Sequence, residues 1–188
     1  MRTNLYLILN ICAIFLISLK AFAQETTGKE TGKEDRKGMH QLTLVIGHSI
    51  IAPGDESERI TEPSWAIDYN YRISSHWAIG LHNDIILESY EVINSGSETG
   101  GTIKRTNPIA SVAADVFKPK KHSSFILGMG AEFAEEENLA LTRIGYESSW
   151  EIRNDWDLGA VISYDIKWHT YDTWIIGLGV SKFFGGKK

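Results

Sequence analysis

The sequence predicts an all-β fold, an eight-stranded antiparallel up-and-down transmembrane β-barrel. Residues 39–184 divide into eight segments of about ten residues, the length that a tilted membrane strand needs. Apolar side chains alternate with polar or small ones along these segments, so each strand would turn one face to lipid and the other to the interior. Downstream of residue 23, no apolar run is long enough for a spanning helix.

The connections between the predicted strands differ in length in a regular way. The strands are 39–48, 63–73, 77–88, 108–117, 125–134, 139–152, 156–168 and 173–184. The short connections are 74–76, 118–124 and 153–155, and the long ones are 49–62 and 89–107. With the N-terminus in the periplasm, the short turns face the periplasm and the long loops face outward, as is typical of outer-membrane barrels.

The tryptophans mark the ends of the apolar face. From Trp156 to Trp168 every second residue is apolar, and the residues between them are mostly polar or small. The two indoles are separated by roughly 40 Å along a strand, or about 28 Å of membrane normal at a tilt near 45°. Tryptophan prefers the membrane–water interface. We therefore predict six membrane-interface aromatics: Trp65, Trp77, Trp150, Trp156, Trp168 and Trp174.

One hairpin can be put in register from the sequence around Ser74-Ser75-His76. If Ile73 faces Trp77, Asp68 lies opposite His82 on the inner face. Directly opposed side chains interact, so this pair would form a salt bridge or a charged hydrogen bond.

A second hairpin is predicted around Arg153-Asn154-Asp155. If Ile152 faces Trp156, Trp150 meets Leu158 outside and Arg143 meets Asp165 inside. Asn154 would take the left-handed conformation that such a loop often needs.

The inner face is predicted to hold a network of charges. Eight strands leave a narrow interior that side chains fill, and buried charges there must pair. The predicted lumen network comprises Asp68, Arg72, His82, Asp84, Asp115, Glu132, Arg143, Glu147, Asp165 and Lys167. His82 with Asp84 and Glu88 would suit a general base or half a metal site, but no nucleophile is placed beside the histidine.

No catalytic, cofactor-binding or metal-ligating residue is predicted, and the chain is not expected to be an enzyme. His48 and His169 lie at outer strand ends, where a transition-metal site is an alternative to plain solvated side chains. Ser49 follows His48 directly, so the two point to opposite faces and cannot form a catalytic pair. The sequence contains no Gly-x-Ser-x-Gly esterase motif.

The N-terminal region carries the features of an export signal. Residues 1–23 combine Arg2, an apolar run over 5–19 and an Ala21-Phe22-Ala23 cleavage site. Residues 24–38 are charged, lack apolar side chains and are predicted to be a disordered leader, and residues 39–188 form the barrel domain. The single cysteine, Cys12, lies in the signal.

The charge balance argues against nucleic acid as a partner. Cleavage would remove Arg2 and Lys20, which lowers the 19 basic residues to 17 against 24 acidic ones, a formal charge of −7. Lys118, Lys120, Lys121 and His122 form a basic turn on the predicted periplasmic side. The simpler interpretation is that these turn charges are only solvated. The alternative is that they contact anionic lipid headgroups.

The last strand alternates Trp174, Ile176, Leu178 and Val180 with small residues and ends in Phe183-Phe184, followed by Gly185-Gly186-Lys187-Lys188. With this strand, residues 39–184 resemble the small eight-stranded outer-membrane barrels of the OmpA membrane-domain and OmpX type. The resemblance implies an outer-membrane location in a Gram-negative-type bacterium, contact with outer-membrane lipid, and recognition of an aromatic-terminated strand by the barrel-assembly machinery.

A soluble lipocalin-like barrel is the structural rival, because it would show the same alternation with apolar side chains inside. The face that mixes Gly128, Gly159 and Gly177 with charges does not suit an apolar ligand cup. Asn83, outward in this register, does not fit the apolar pattern.

The predicted function is structural or surface-interacting, through external loops 49–62 and 89–107 that would contact an extracellular partner. An open pore is not expected, since water-filled barrels need about sixteen strands. One alternative is an outer-membrane lipid- or envelope-modifying enzyme with a rim or lumen site. Another is narrow solute or ion passage.

Overall fold

The computed structural model describes residues 36–52, 59–93, 101–153, 155–168 and 170–186. The predicted signal 1–23, residues 24–35 of the predicted leader, and the tips of both long loops lie outside the described residues. The strands are β1 (Met39–Ala52), β2 (Ile60–Arg72), β3 (Trp77–Ile86), β4 (Tyr90–Ile93), β5 (Thr102–Arg105), β6 (Ile109–Lys120), β7 (Ser123–Phe133), β8 (Leu139–Arg153), β9 (Trp156–Lys167) and β10 (Asp172–Gly185). Among the described residues, no helix is long and apolar enough to cross a membrane.

Eight long strands close into an antiparallel barrel. Its order is β1-β2-β3-β6-β7-β8-β9-β10, and β10 pairs with β1 to complete the ring. At this seam Leu44 lies opposite Val180 and Gly47 lies opposite Gly177. Closure leaves no strand edge among the eight unpaired. The predicted fold class, an all-β eight-stranded up-and-down barrel, is confirmed.

The barrel places its large apolar side chains on the outer surface, and its lumen holds charged and polar side chains together with smaller apolar clusters. On β9 and β10, Leu158, Ile162 and Ile176 are 45%, 40% and 47% exposed. The alternating residues Asp157 and Asp165 are buried inside. This arrangement is the reverse of a soluble lipocalin-like barrel, whose apolar side chains would fill the interior.

Both predicted hairpin registers hold over the body of the strands. Asp68 lies opposite His82 in the β2–β3 pair. In the β8–β9 pair, Arg143 lies opposite Asp165, and Trp150 lies opposite Leu158. The side-chain alternation therefore specified which residues meet, because a shift of one residue would turn the apolar set into the lumen.

The β8–β9 turn itself differs from the prediction. Arg153, and not Ile152, lies opposite Trp156, because the register shifts between Glu151 and Arg153. Such a bulge adds one residue to one strand and shortens the loop that joins the pair. Asp155 takes the left-handed conformation, with φ of 62°. The residue predicted for that role, Asn154, lies outside the described residues.

The second long connection contains structure that the sequence reading missed. β4 and β5 form a separate two-stranded antiparallel sheet in which Glu91 lies opposite Lys104. The first connection is also shorter than predicted, because β1 continues to Ala52 and β2 begins at Ile60. β3 ends at Ile86, so Glu88 lies outside it and is exposed.

Candidate functional site

The centre of the lumen is cross-linked by one arginine. Arg143 on β8 donates from Nε and Nη2 to the two carboxylate oxygens of Asp165, each at 2.7 Å. Its Nη1 donates to Asp84 Oδ2 on β3 at 2.5 Å. Since β3 and β8 are not neighbours, this second bond crosses the lumen. All three side chains are buried, and paired charges with these hydrogen bonds are the form in which an interior accepts ions.

Next to this cross-link, His82 pairs differently from the prediction. Its Nε2 donates to Asn70 Oδ1 at 3.0 Å and not to the directly opposed Asp68. Diagonal neighbours on one face of a sheet are close enough for long side chains to meet, which explains why His82 bonds to Asn70 and not to Asp68. Gly80 leaves room for Asn70, because a Cβ on Gly80 would lie 2.1 Å from Asn70 Oδ1. The Oδ1 atom of Asp68 is buried without a hydrogen-bond partner in the described structure.

A small cavity of about 30 Å³ lies beside this cluster. Its lining includes Asp68, His82, Arg143, Glu147 and Ser163. That volume holds roughly two water molecules, which suits a polar site with one unsatisfied carboxylate oxygen. A cavity of this volume is too small for a solute larger than a water molecule or two.

A second charge cluster closes the lumen at the end that carries β4 and β5. Arg105, from the β4–β5 sheet, donates from Nη2 to Glu132 Oε1 at 2.6 Å and is fully buried. Lys167 Nζ lies 3.1 Å from Glu132 Oε2. Tyr171 OH donates to Glu132 Oε1 at 2.5 Å, and the OH groups of Tyr90 and Tyr171 lie 2.8 Å apart. The Glu132 carboxylate therefore connects the β4–β5 sheet, the barrel wall and the β9–β10 loop.

The protonation states of this cluster follow from its burial. Burial and the adjacent Glu132 carboxylate raise the pKa of Tyr171 far above its ordinary value, so the hydroxyl stays neutral and donates. The same two causes raise the pKa of Tyr90. Burial disfavours the charge on Arg105, but the Glu132 carboxylate outweighs it and raises the pKa of the guanidinium.

An apolar layer completes the cap at this end of the lumen. Side chains from strand ends and from the β4–β5 sheet pack together there as a small core. Its buried members are Ile51, Ile86, Tyr90, Val92, Leu139 and Tyr171, with Ile60 and Ile103 against them. The base of the second loop is thus fixed to the barrel mouth and does not hang free in solvent.

The opposite end of the lumen, where β1 begins, is closed by the residues that enter β1. Arg36 makes two hydrogen bonds to the Asp157 carboxylate, at 2.8 and 2.9 Å, and its guanidinium lies 3.9 Å from the centre of the Phe183 ring. Gly38 N donates to Arg72 O at 2.8 Å. Residues 36–38, the last three of the predicted disordered leader, therefore have defined contacts with the barrel, which corrects the leader boundary.

Most residues of the predicted lumen network lie inside the barrel, but one does not. Asp84, Arg143 and Asp165 share one cluster, and Glu132 and Lys167 share another. Arg72 is buried, with its guanidinium 5.8 Å from the centre of the Phe183 ring, and its Nε and Nη1 atoms have no hydrogen-bond partner in the described structure. Asp115 is a correction. It lies opposite Ile79 and Leu127, both outward and exposed, so its side chain is on the outer face.

Several lumen contacts were not predicted from the sequence, and Asp115 was predicted on the wrong face, for identifiable reasons. β6 carries small or apolar residues on both faces, so alternation alone did not fix the side to which Asp115 belongs. Arg36 and Arg105 fell in segments read as leader and loop. Asn70 shares the inner face of β2 with Asp68 and was detectable from that spacing.

The six predicted interface tryptophans lie on or beside the outer face. From the strand directions, Trp77, Trp150 and Trp156 lie at the end of the barrel where β1 begins. Trp168 and Trp174 lie at the opposite end, and Trp168 Nε1 donates to Thr142 Oγ1 at 3.1 Å. Trp65 lies in the body of β2, opposite Ile46 in the middle of β1.

The histidine rim site is not assembled in the described structure. His48 is exposed on the outer face of β1, and His169 lies outside the described residues. Within the described ranges, no group of three or more histidine, cysteine or acidic side chains is arranged to hold a metal ion.

Comparison with known proteins places the fold but not the role. No protein-family model matches the chain, and no curated protein matches it. Ail of Yersinia pestis, solved with the heparin analogue sucrose octasulfate, is 16% identical over 77% of this chain and 99% of its own, with a TM-score of 0.50. Neisserial surface protein A is 12% identical (79% and 98% covered, TM-score 0.48), and AlkL is 11% identical (88% and 98% covered, TM-score 0.48). The chain thus has the fold of small outer-membrane barrels.

Proposed function

We propose that this chain is an exported outer-membrane protein that acts through its external loops, as a structural or surface-interaction protein and not as a pore. The observation that carries the proposal is the lumen closed at three levels. Arg36–Asp157 closes the periplasmic end, Arg143 with Asp84 and Asp165 crosses the centre, and Arg105–Glu132 closes the outer end.

The outer surface supports membrane insertion. A belt of exposed isoleucine, leucine, valine and aromatic side chains surrounds the barrel, and a water-soluble monomer rarely exposes so large an apolar area. The tryptophans at both ends fit interfacial girdles, and residues 1–23 fit a cleaved export signal. With the N-terminus in the periplasm, β4 and β5 stand outside, and β10 with its two terminal phenylalanines is the strand offered to the assembly machinery.

The anchored hairpin supports an interaction role. The β4–β5 sheet is fixed by Arg105 and by the apolar cap, so the exposed Glu91 and Lys104 stand on a rigid base. A preorganised loop loses less entropy on binding than a free one. Side chains buried at its base leave Glu91, Lys104 and the residues beyond them to contact a partner.

The charge of the external end favours a cationic partner. Exposed acidic residues of the described external segments outnumber exposed basic ones. The acidic residues are Glu88, Glu91, Glu135, Glu136 and Glu137, and the basic ones are Arg59 and Lys104. A polyanion of the kind bound to Ail would be repelled by this surface, so that ligand is not transferred to this chain.

We propose no catalytic role for the lumen. In the described structure His82 donates to Asn70, and the cavity that it lines is only about 30 Å³. Substituting His82 with alanine should lower barrel stability and leave the lipid composition of the membrane unchanged by mass spectrometry. A lipid product that disappears in this variant would favour the enzyme alternative.

Planar-bilayer recording tests the proposal most simply. The reconstituted protein should show no single-channel steps, because each level of the lumen is filled. Replacing Glu88, Glu91, Glu135, Glu136 and Glu137 with glutamine should leave folding intact, seen as the same difference in gel mobility between unheated and boiled samples, and should abolish binding to a cationic surface partner. Regular conductance steps from the intact protein would favour the passage alternative.

A further inference from the structure

The two ends of the barrel differ in the charge of their exposed side chains. At the end where β1 begins, the exposed ionisable residues of the described chain are Lys37, Lys120, Lys121, Glu151 and Arg153. Four of these five are basic, whereas the exposed charges at the end that carries β4 and β5 are mainly acidic. In the proposed orientation, with the N-terminus in the periplasm, the basic end lies in the inner leaflet of the outer membrane. A basic rim beside an apolar belt is complementary to lipid headgroups of net negative charge.

The turn between β6 and β7 holds two of these lysines on a fixed backbone. The two strands pair as far as Lys120 and Ser123, and the turn residues between them are Lys121 and His122. His122 Nδ1 donates to Ser149 O at 2.8 Å, and Ser149 N donates to His122 O at 3.1 Å. The turn is thus attached to β8 by two hydrogen bonds. A preorganised turn loses less entropy when a ligand binds than a free one does.

Both lysine side chains are available to a ligand, and a hydroxyl pair lies beside them. Lys120 and Lys121 are exposed, and neither makes an ion pair or a side-chain hydrogen bond with a described residue. Lys120 lies opposite Ser123, whose Oγ is 3.0 Å from the OH of the outward, exposed Tyr146. Cross-strand partners share a face, so Lys120 and Ser123 are on the outer side. Two hydroxyls that bond to each other use one hydrogen, and the other can be donated to a phosphate oxygen.

An apolar surface begins directly next to these polar groups on β7 and β8. The outward cross-strand pairs, in order from the turn towards the middle of the barrel, are Ser123–Ser148, Phe125–Tyr146 and Leu127–Ile144. Phe125, Leu127 and Ile144 are all exposed. Successive pairs are about 7 Å apart along the strands, or roughly 5 Å of depth. The surface therefore changes from basic to hydroxyl-bearing to apolar, which is the order of phosphate, glycerol ester and acyl chain in a phospholipid.

We propose that the outer face of the β6–β7 turn binds a phospholipid of net negative charge. The phosphate meets Lys120 and Lys121 and accepts a hydrogen bond from Ser123. The rest of the headgroup points away from the barrel, and an acyl chain lies over Phe125 and Leu127 towards the middle of the membrane. The inference rests on the membrane insertion and orientation of the proposed function, but not on its closed lumen or its external partner.

The position of the two lysines favours a lipid over an acidic protein. They stand at the border of the apolar belt, so their ligand must meet charge and hydrocarbon at once. An amphiphilic lipid does both, whereas an acidic soluble protein meets only the charge. A headgroup of zero net charge, such as phosphatidylcholine, carries its own cation, which the lysines repel. Lysines that are only solvated would not distinguish between these headgroups.

Native mass spectrometry of the folded protein in detergent, offered equal amounts of phosphatidylglycerol and phosphatidylcholine, tests the proposal. We expect phosphatidylglycerol to be retained about tenfold or more over phosphatidylcholine, since each lysine near an anionic headgroup contributes roughly fivefold. The double variant Lys120→Gln, Lys121→Gln should lose this preference. The matched control Lys37→Gln, Arg153→Gln removes two other exposed basic side chains of the same end and should keep it.

A further variant tests the phosphate contact without changing the net charge. Ser123→Ala should lower the retention of phosphatidylglycerol roughly fivefold, the effect of one hydrogen bond. The difference in gel mobility between unheated and boiled samples shows first that each variant is folded.

Four results would overturn the proposal. The first is equal retention of the two lipids by the unaltered protein, and the second is the same loss of preference in the control as in the Lys120 and Lys121 variant. The third is unchanged retention in Ser123→Ala. The fourth is displacement of the lipid by an equal concentration of a polyaspartate peptide, which would identify an acidic protein as the better ligand. Channel recordings and external binding assays test the proposed function separately and leave these results unaffected.

Discussion

Replacing Arg143 with methionine removes the central cross-link of the lumen while keeping an unbranched side chain that fills space. Three hydrogen bonds are lost, two to Asp165 and one to Asp84. Both carboxylates are then left buried without their counter-ion, with Asp165 only 1% exposed. Removing one partner of a buried ion pair costs about 3–5 kcal/mol, and we expect a loss of unfolding free energy in that range.

A charge-neutral variant separates the pairing from the packing. In the triple variant Arg143→Met, Asp84→Asn, Asp165→Asn no orphaned charge remains. Replacing a whole buried ion network by neutral groups often changes the unfolding free energy very little. The triple variant should therefore recover at least half of the unfolding free energy lost in Arg143→Met.

Urea unfolding in lipid vesicles, followed by intrinsic tryptophan fluorescence, measures both variants. Unheated gel mobility confirms that each forms a barrel before the titration begins. A loss below about 1 kcal/mol for Arg143→Met, the size of an exposed pair, would refute the reasoning. A triple variant no more stable than the single one would also refute it.

Three further predictions follow from the ends and the outer face. Arg105→Ala should free the β4–β5 sheet, seen as faster protease cleavage in the second loop with unchanged barrel mobility on gels, because Glu132 keeps Lys167 as a partner. Arg36→Ala should lower the unfolding free energy by about 1–3 kcal/mol, measured by urea titration, since Asp157 loses a charged hydrogen-bond partner. Ile162→Lys should cost about 2–4 kcal/mol in the same titration, as expected near the bilayer midplane. Unchanged protease cleavage in Arg105→Ala would contradict the first expectation, and unchanged unfolding free energy in Arg36→Ala would contradict the second. An Ile162→Lys variant more stable than the unaltered protein would contradict the third.

The body of the barrel was predictable because its signal is local and periodic. A two-residue repeat fixed the faces of β9, and opposite charges at matched positions placed Arg143 against Asp165 before any coordinates. A register error of one residue would have exposed every buried polar group, so the pattern admits one solution. The β8–β9 bulge was not predictable, since a single extra residue leaves no trace in alternation.

The parts that close the barrel were not predictable, because they depend on contacts between distant segments. Arg105 lies in a stretch read as loop, and its partner Glu132 is 27 residues away. Arg36 reaches Asp157 across 121 residues from a segment without apolar side chains. Asp115 was assigned to the wrong face because its strand lacks a clear difference between its two sides. The positions of Arg105, Arg36 and Asp115 all depend on tertiary contacts, and the local sequence does not indicate those contacts.

Neighbouring spin labels on β9 measure directly which face of the sheet meets hydrocarbon, on which membrane insertion, the closed lumen and the register all depend. The sole cysteine lies in the predicted signal, so Ile162→Cys and Ser163→Cys each introduce one labelling site in the exported chain. In vesicles, the label at 162 should be relaxed by oxygen, which concentrates in lipid, and the label at 163 should be shielded from it. Strong oxygen relaxation at 163 with shielding at 162 would contradict the account.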